Sequence, residues 1–420
     1  MPLPGAAATL PRNLGERMSE NSTSPATRWS YVALAIIAGL AAAAHVGKLP
    51  PALPAVRGEL GLGLVAGGWV VSIFSATALG LGIFAGTIAD RIGHWRLAQI
   101  GLLFLGASGL GGALAAGEVS LLASRLCEGV GFVAVVVSAP GLIVAASAPR
   151  DRRVALGFWG AYMPTGSALT LLLAPLLLDA AGWRVLWAVI GGLAIAWAAV
   201  YHLAARSAPA HTKALGPSQS LAGNIAAAAT RPGPWLISLC FGAYTAQWIS
   251  LMVWLPSFLI EQRDASTATA GLLTALVVLA NVPGNLAAGW LLQRGVARWL
   301  LVLIACIAMG GSALGIFAET LPDLWRFLLC LTFSGLGGLL PASLLAAAPV
   351  MAPSPGQVGT VNGMLIQGSN IGQFFGPPAA AAVVALAGRW EDVGVLMMSM
   401  AAVAGVLALM IGRVERRLET

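Results

Sequence analysis

Long apolar runs alternate with short polar breaks along almost the whole chain. After Trp29 the runs cover 30–52, 67–89, 96–116, 119–148, 154–180 and 184–205. Past a polar stretch at 206–232 they resume over 233–260, 269–292, 298–318, 323–349, 357–387 and 392–412. An α-helix needs about 20 apolar residues to cross a bilayer, and each run is of that order. The pattern therefore predicts an all-α membrane protein with twelve transmembrane helices in two six-helix lobes. The lobes fall at 29–205 and 233–413, joined by a cytoplasmic linker at 206–232. Residues 1–28, rich in Pro, Ala, Ser and Thr, read as a disordered cytoplasmic tail within which Met18 is an alternative start. Residues 414–420 read as a second cytoplasmic tail.

The halves also repeat. A shift of 206 residues lays Gly129 on Gly335, Gly131 on Gly337, Pro149 on Pro355, Gly157 on Gly363, Gly166 on Gly372 and Gly182 on Gly388. The same shift lays Lys48-Leu49-Pro50 on Trp254-Leu255-Pro256. A parallel repeat of helical units, with a site between them near the bilayer midplane, is a transporter architecture.

Composition agrees and removes other classes. Only 9% of residues are charged and 58% are hydrophobic, with a mean hydropathy of +0.85. A soluble domain carries about 25% charged residues. The net charge of +7 comes from basic residues spread singly between apolar runs, a mark of membrane topology and not of nucleic-acid binding. With both ends inside, sixteen of the 23 basic residues lie in cytoplasmic segments and five in outer ones. That asymmetry predicts cytoplasmic termini in a cell inner membrane. The four cysteines, Cys127, Cys240, Cys306 and Cys330, fall in apolar runs, so free buried thiols are expected. The four histidines do not cluster with cysteines or carboxylates, and there is no phosphate-binding G-x-x-x-x-G-K-[ST] loop. No metal, cofactor or catalytic set is expected, and the chain does not read as an enzyme.

Two motifs carry a family resemblance. Between the second and third runs stands Gly86-Thr-Ile-Ala-Asp90-Arg91-Ile-Gly93-His-Trp-Arg96, which resembles the G-x-x-x-D-R-x-G-x-R-R signature of the major facilitator superfamily. The last position here is Leu97. In the repeat copy Gly289, Arg294 and Arg298 are kept, and Gln293 replaces the acid. The fourth run carries Arg125-Leu-Cys-Glu-Gly129-Val-Gly131, similar to the superfamily's R-x-x-x-G-x-G motif. The run from Trp254 to Glu261 is similar to the cyanate-permease and nitroimidazole-transporter branch. The resemblance covers 29–413 and implies two rocking lobes with helices 1, 4, 7 and 10 around a central cavity. It also implies that Gly86, Asp90, Arg91, Gly93 and Arg96 form a breakable conformational latch. The glycine-proline signature of proton-driven exporters is absent from the fifth run, where Thr170-Leu171 stands. Its spacing appears instead in the eleventh, as Gly363, Gly372, Gly376 and Pro377.

Of the sixteen acidic residues only Glu128 lies well inside a span. It follows Arg125 by three residues, so the two share a helix face at about 5–6 Å between Cβ atoms. Charges inside a membrane are costly and face a partner or a cavity. The pair is either a static bridge or a proton-coupling unit in which Arg125 alternates between Glu128 and substrate. Lys48 lies near the outer end of the first span, at a depth similar to Arg125; it either snorkels to water or faces the cavity. In the cavity, two cations against one acid favour an anionic solute. His45, close to one helical turn before Lys48, adds a titratable group. The second lobe offers Tyr244, Gln247, Trp248 and Trp254 as polar and aromatic substrate contacts. The sequence thus predicts a monomeric, bilayer-embedded secondary transporter of a small anionic solute, working by alternating access and driven by protons. A drug or metabolite exporter, or a non-transporting sensor on the same fold, is the alternative.

Overall fold

The computed structural model describes residues 26–204, 221–354 and 357–419. The predicted tail up to residue 25 and the linker up to residue 220 lie outside the described residues. Among the described residues every regular element is helical. The first lobe contains α1 (Trp29–Gly47), α2 (Leu49–Leu60), α3 (Leu64–Ile92), α4 (His94–Ala113), α5 (Glu118–Ala146), α6 (Arg152–Gly160) and α7 (Tyr162–Ala204). A short helix α8 (Leu221–Ala229) occupies the end of the linker. The second lobe contains α9 (Pro232–Arg263), α10 (Thr267–Gln293), α11 (Arg298–Ile316), α12 (Asp323–Gly337), α13 (Leu339–Met351), α14 (Val358–Ala387) and α15 (Glu391–Glu419).

Local chemistry explains where the spans break. Pro50 and Pro51 carry no backbone N–H and are best accommodated in a helix's first turn. The chain therefore ends α1 at Gly47 and starts α2 at Leu49, leaving Lys48 at the joint. At 43 residues α7 is too long for one crossing at 1.5 Å per residue. Gly182 divides it, with φ 78° and ψ 174°, a left-handed conformation open to glycine and strained for other residues. Its repeat partner Gly388 also has positive φ, 72°, and closes α14. Ten helical stretches are long and apolar enough to cross a membrane. Counting the two arms of α7 separately and adding the 20-residue α4 gives a number consistent with the twelve expected. The repeat extends to element boundaries: α6 begins at 152 and α14 begins 206 residues later, at 358.

One sequence expectation changes, and the structure adds detail to two further segments. Cys127 is exposed on the outside of the bundle, whereas Cys240, Cys306 and Cys330 are buried thiols. Its helix turns it away from the neighbouring Glu128, which faces the lobe interior. The C-terminal segment does not leave the helix at 413: α15 continues to Glu419, and Glu415 accepts from Arg298 Nη1 at 2.9 Å. The linker is not wholly irregular, since α8 forms within it.

The lobes meet mainly at the end of the bundle remote from the chain termini. There Arg57 Nη1 on α2 donates to Glu261 Oε1 on α9 at 2.8 Å. The rings of Trp69 and Phe374 lie 5.3 Å apart, and Gly68 lies against the backbone of Pro378. Nearer the middle, Ser72 donates to the Gln373 carbonyl (3.3 Å) and Gln367 to the Ala78 carbonyl (3.2 Å). Toward the terminal side, Gly80, Gly157, Gly160 and Gly363 have open space where a side chain would stand. The side-chain contacts between the lobes thus gather toward the far end.

Within the second lobe Gly368, Gly372 and Gly376 of α14 press on Ser238, Gly242 and Ala246 of α9, four residues apart on both helices. Small residues let the backbones approach this closely. Gly372→Leu should overpack this seam and lower stability by about 1–3 kcal/mol, whereas Gly363→Ala, in open space, should be near neutral. Thermal unfolding in detergent checks both; equal melting temperatures for the two variants would contradict the packing account.

Candidate functional site

The first lobe buries four polar side chains in one cluster. Lys48 sits at the α1–α2 joint, where its backbone N–H donates to the Ala44 carbonyl at 3.0 Å. His45 is one turn earlier, its Nδ1 3.2 Å from Lys48 Nζ. Arg125 and Glu128 come from one face of α5. Gly129 and Gly131 let α3 and α4 close onto α5, because the Phe74 carbonyl and the Leu105 amide occupy the space where Cβ atoms would be. That approach brings Val70 and Phe74 of α3 over Arg125.

Glu128 is the centre. Lys48 Nζ donates to its Oε1 at 2.6 Å, and Arg125 Nη1 donates to its Oε2. His45 Nδ1 lies 3.3 Å from Oε1. Arg125 Nη1 also donates to the His45 carbonyl at 2.8 Å, and its Nε reaches the Val70 carbonyl at 3.4 Å. Aromatic faces cover both cations. Lys48 Nζ is 4.6 Å from the Trp187 ring centroid, and the Arg125 guanidinium carbon is 4.7 Å from that of Phe74; each is a cation–π contact. His45, Lys48, Arg125 and Glu128 are all buried. The predicted Arg125–Glu128 pair is present, and Lys48 neither snorkels nor lies free: it turns inward to the same carboxylate. What depth along the helix did not reveal is that the lobe's own side chains seal the cluster. Two cations share one carboxylate, so the set carries one surplus positive charge if His45 is neutral.

The second lobe holds a neutral counterpart. Under the 206-residue shift His45, Lys48, Arg125 and Glu128 fall on Leu251, Trp254, Leu331 and Ser334. Ser334 Oγ accepts from Trp248 Nε1 at 3.2 Å, and its carbonyl accepts from Asn281 Nδ2 at 2.9 Å. Asn281 Nδ2 also donates to the Tyr244 hydroxyl at 3.0 Å, and Asn285 Nδ2 donates to Asn281 Oδ1 at 2.7 Å. Tyr244 and Trp248 therefore meet in one network, centred on Ser334. The sequence reading did not single out Ser334, although shifting Glu128 by the repeat finds it. Gln247 and Trp254 do not join this network. Gln247 Nε2 donates to the Ala243 carbonyl at 2.9 Å, and Trp254 Nε1 donates to the Pro377 carbonyl at 3.0 Å, its ring beside Trp390. Of the latch residues, Gly93 has φ 91° between α3 and α4, and Arg91 and Arg96 are exposed. Gly86 and Asp90 lie on α3 by their backbone, and the Asp90 side chain falls outside the described residues.

A sequence match to the Major Facilitator Superfamily covers residues 32–294 and 237–420. The chain belongs to the major facilitator superfamily. It is 24% identical to a probable sulfoacetate transporter of Cupriavidus necator, over 81% of this chain and 83% of that protein. It is 26% identical to the cyanate transport protein of Escherichia coli, over 71% and 75% of the two chains. In fold it is similar to a bacterial homologue of the human lysosomal transporter Spinster in an inward-facing, unoccupied conformation. The TM-score there is 0.80 at 14% identity, covering 93% of this chain and 98% of that one. This major facilitator is accordingly a membrane transporter and not an enzyme.

The shared carboxylate sets an order of stabilities. Glu128→Gln leaves two buried cations without their anion, a defect that typically costs about 3–5 kcal/mol. Lys48→Met leaves the Arg125–Glu128 pair intact and neutral overall. In purified protein the melting temperature should fall much further for Glu128→Gln than for Lys48→Met. The reverse order would contradict the assignment of Glu128 as the common partner.

Proposed function

We propose that this protein is a secondary active transporter that moves a small anion across a bacterial inner membrane by alternating access, coupled to protons. The observation that carries the proposal is the sharing of Glu128 by Lys48 and Arg125. Protonation of Glu128 would release two cations from their only anion and create a strong local demand for negative charge. An incoming anion answers that demand. Loss of the proton restores the internal pairs and lowers affinity for the cargo. Proton and anion binding then favour each other, and linkage makes the coupling reciprocal. A carboxylate held between fixed cations needs only a change of hydrogen-bond partner to switch, which suits an element biased by a ligand.

The names of the relatives support the cargo class. Sulfoacetate and cyanate are both small anions, as is the cargo of a probable nitrate/nitrite transporter of Mycobacterium tuberculosis that is 26% identical over 60% of this chain. The half-buried Asn281, Asn285 and Trp248 would supply neutral hydrogen bonds from the second lobe. Basic residues crowd the terminal side of the bundle. By the positive-inside rule that side is cytoplasmic in this reading, and the contact-rich far end then faces outward, as an inward-open stage of the cycle requires. In the reverse state the loop from Gly86 to Arg96 would latch the terminal side. The unit of transport is the monomer.

Uptake of labelled sulfoacetate, cyanate and nitrate into proteoliposomes tests this directly, with and without an imposed pH gradient. The wild-type protein should accumulate at least one of them several-fold more when the gradient is present. Glu128→Gln, normalised to folded protein, should exchange that anion but lose the response to the gradient. An unchanged gradient response in the variant would remove Glu128 from coupling. Failure to take up any of the three anions would overturn the cargo assignment.

A further inference from the structure

A second polar feature lies far from the buried cluster, at the end of the bundle remote from the chain termini. A cleft of about 560 Å³ opens there, walled by the ends of α9, α12 and α14, the segments beside α11 and α15, and Leu64 at the start of α3. Its lining includes three arginines, Arg263, Arg326 and Arg389, and three aromatic rings, Phe258, Phe317 and Trp390. The rings pack on one another: Phe317 stacks on Trp390 at 6.0 Å, and Phe258 meets both edge-on. They form a rigid apolar wall.

Arg326 is the unusual member. It is only 5% exposed, and its Nε is spent on the Leu321 carbonyl at 2.9 Å. Its Nη2 makes no hydrogen bond. Asp323 Oδ1 stands 3.3 Å away, within ion-pair range but off the line a hydrogen bond requires. Asp323 binds Arg263 Nη2 more closely, at 2.8 Å. As in the first lobe, one carboxylate is divided between two cations. Here that carboxylate belongs to a side chain 70% exposed to solvent, so displacing it disturbs no packing. The other acids nearby are partly engaged: Glu261 with Arg57, and Asp392 with Arg389. Glu391 accepts from the Glu319 backbone N–H at 2.8 Å. Glu319 also lines the cleft, and its charge favours a ligand with one negative group over a dianion.

We propose that this cleft is a second binding site, for a small monoanionic organic acid with a flat apolar body. The acid group displaces Asp323 and takes the Arg326 guanidinium with help from Arg263 and Arg389. The flat body meets the cleft-lining rims of Phe317 and Trp390, whose faces are stacked on each other. The site belongs to the second lobe's outer end and stands apart from the proton-coupled cluster, so either can fail without the other.

Equilibrium binding of labelled benzoate to the purified full-length protein tests the proposal, with the neutral isostere benzamide as control. The wild type should bind benzoate saturably and benzamide at least tenfold more weakly. Arg326→Gln removes a charge-assisted bond and should weaken benzoate binding tenfold or more. Arg389→Ala, at a side chain 63% exposed and so without effect on folding, should weaken it about threefold. Should Arg326→Gln fail to fold, Arg389→Ala decides alone. Absence of saturable benzoate binding, equal binding of benzamide, or unchanged affinity in the folded variants would each overturn the site.

Discussion

One carboxylate between two cations, buried deep in the lobe, is the constraint on which the first lobe depends. Glu128 holds α5 to the joint between α1 and α2 through Lys48, and Arg125 ties the same turn to the backbones of α1 and α3. Charge taken out of water is costly unless paired and hydrogen-bonded, so none of these partners can be withdrawn cheaply. That is why the local sequence bends to it. The prolines at 50 and 51 break the first span at Lys48, and glycines 129 and 131 remove the side chains that would keep α3 and α4 away.

The two lobes answer the same fold with different chemistry. Their helix order and the left-handed glycines at 182 and 388 follow one repeat, while the breaks at Lys48, Ala161 and Gly338 each occur in one lobe alone. Yet the position of Glu128 is a serine in the second lobe, and that of Arg125 a leucine. A hydrogen-bonded network of Tyr244, Trp248, Asn281 and Ser334 stands there without charge. One half of the bundle thus carries buried charge, and the other carries a neutral hydrogen-bonded network.

Much of the fold was legible because the bilayer imposes a length on every span. Apolar runs near 20 residues and their polar breaks located the helices to within a few residues, and the repeat paired them. The Arg125–Glu128 pair was legible for the same reason, since helical spacing alone puts residues three apart on one face. Lys48 was harder: its sequence depth matched that of Arg125, but only packing of α1 against α5 decides whether the amine reaches inward or out to water. Burial of the whole cluster was not legible, because a sequence does not show that Trp187 and Phe74 cover the cations. The second-lobe residues Tyr244, Gln247, Trp248 and Trp254 do not gather at one place. On α9 twenty of 32 residues are buried, so the helix has no single inward face, and Trp254 packs on Pro377 and Trp390.

A double-mutant cycle on Lys48 and Glu128 tests the central claim most directly. The single variants Lys48→Met and Glu128→Gln and the double variant would be unfolded thermally in the same detergent. If one carboxylate is shared inside the lobe, Lys48→Met should partly rescue Glu128→Gln, because it removes one of the two stranded cations. The coupling free energy should then be about 2–3 kcal/mol, near the top of the range for neighbouring groups. Additive losses, with coupling below about 0.5 kcal/mol, would mean that the two side chains do not depend on each other, and the account of the cluster would fail.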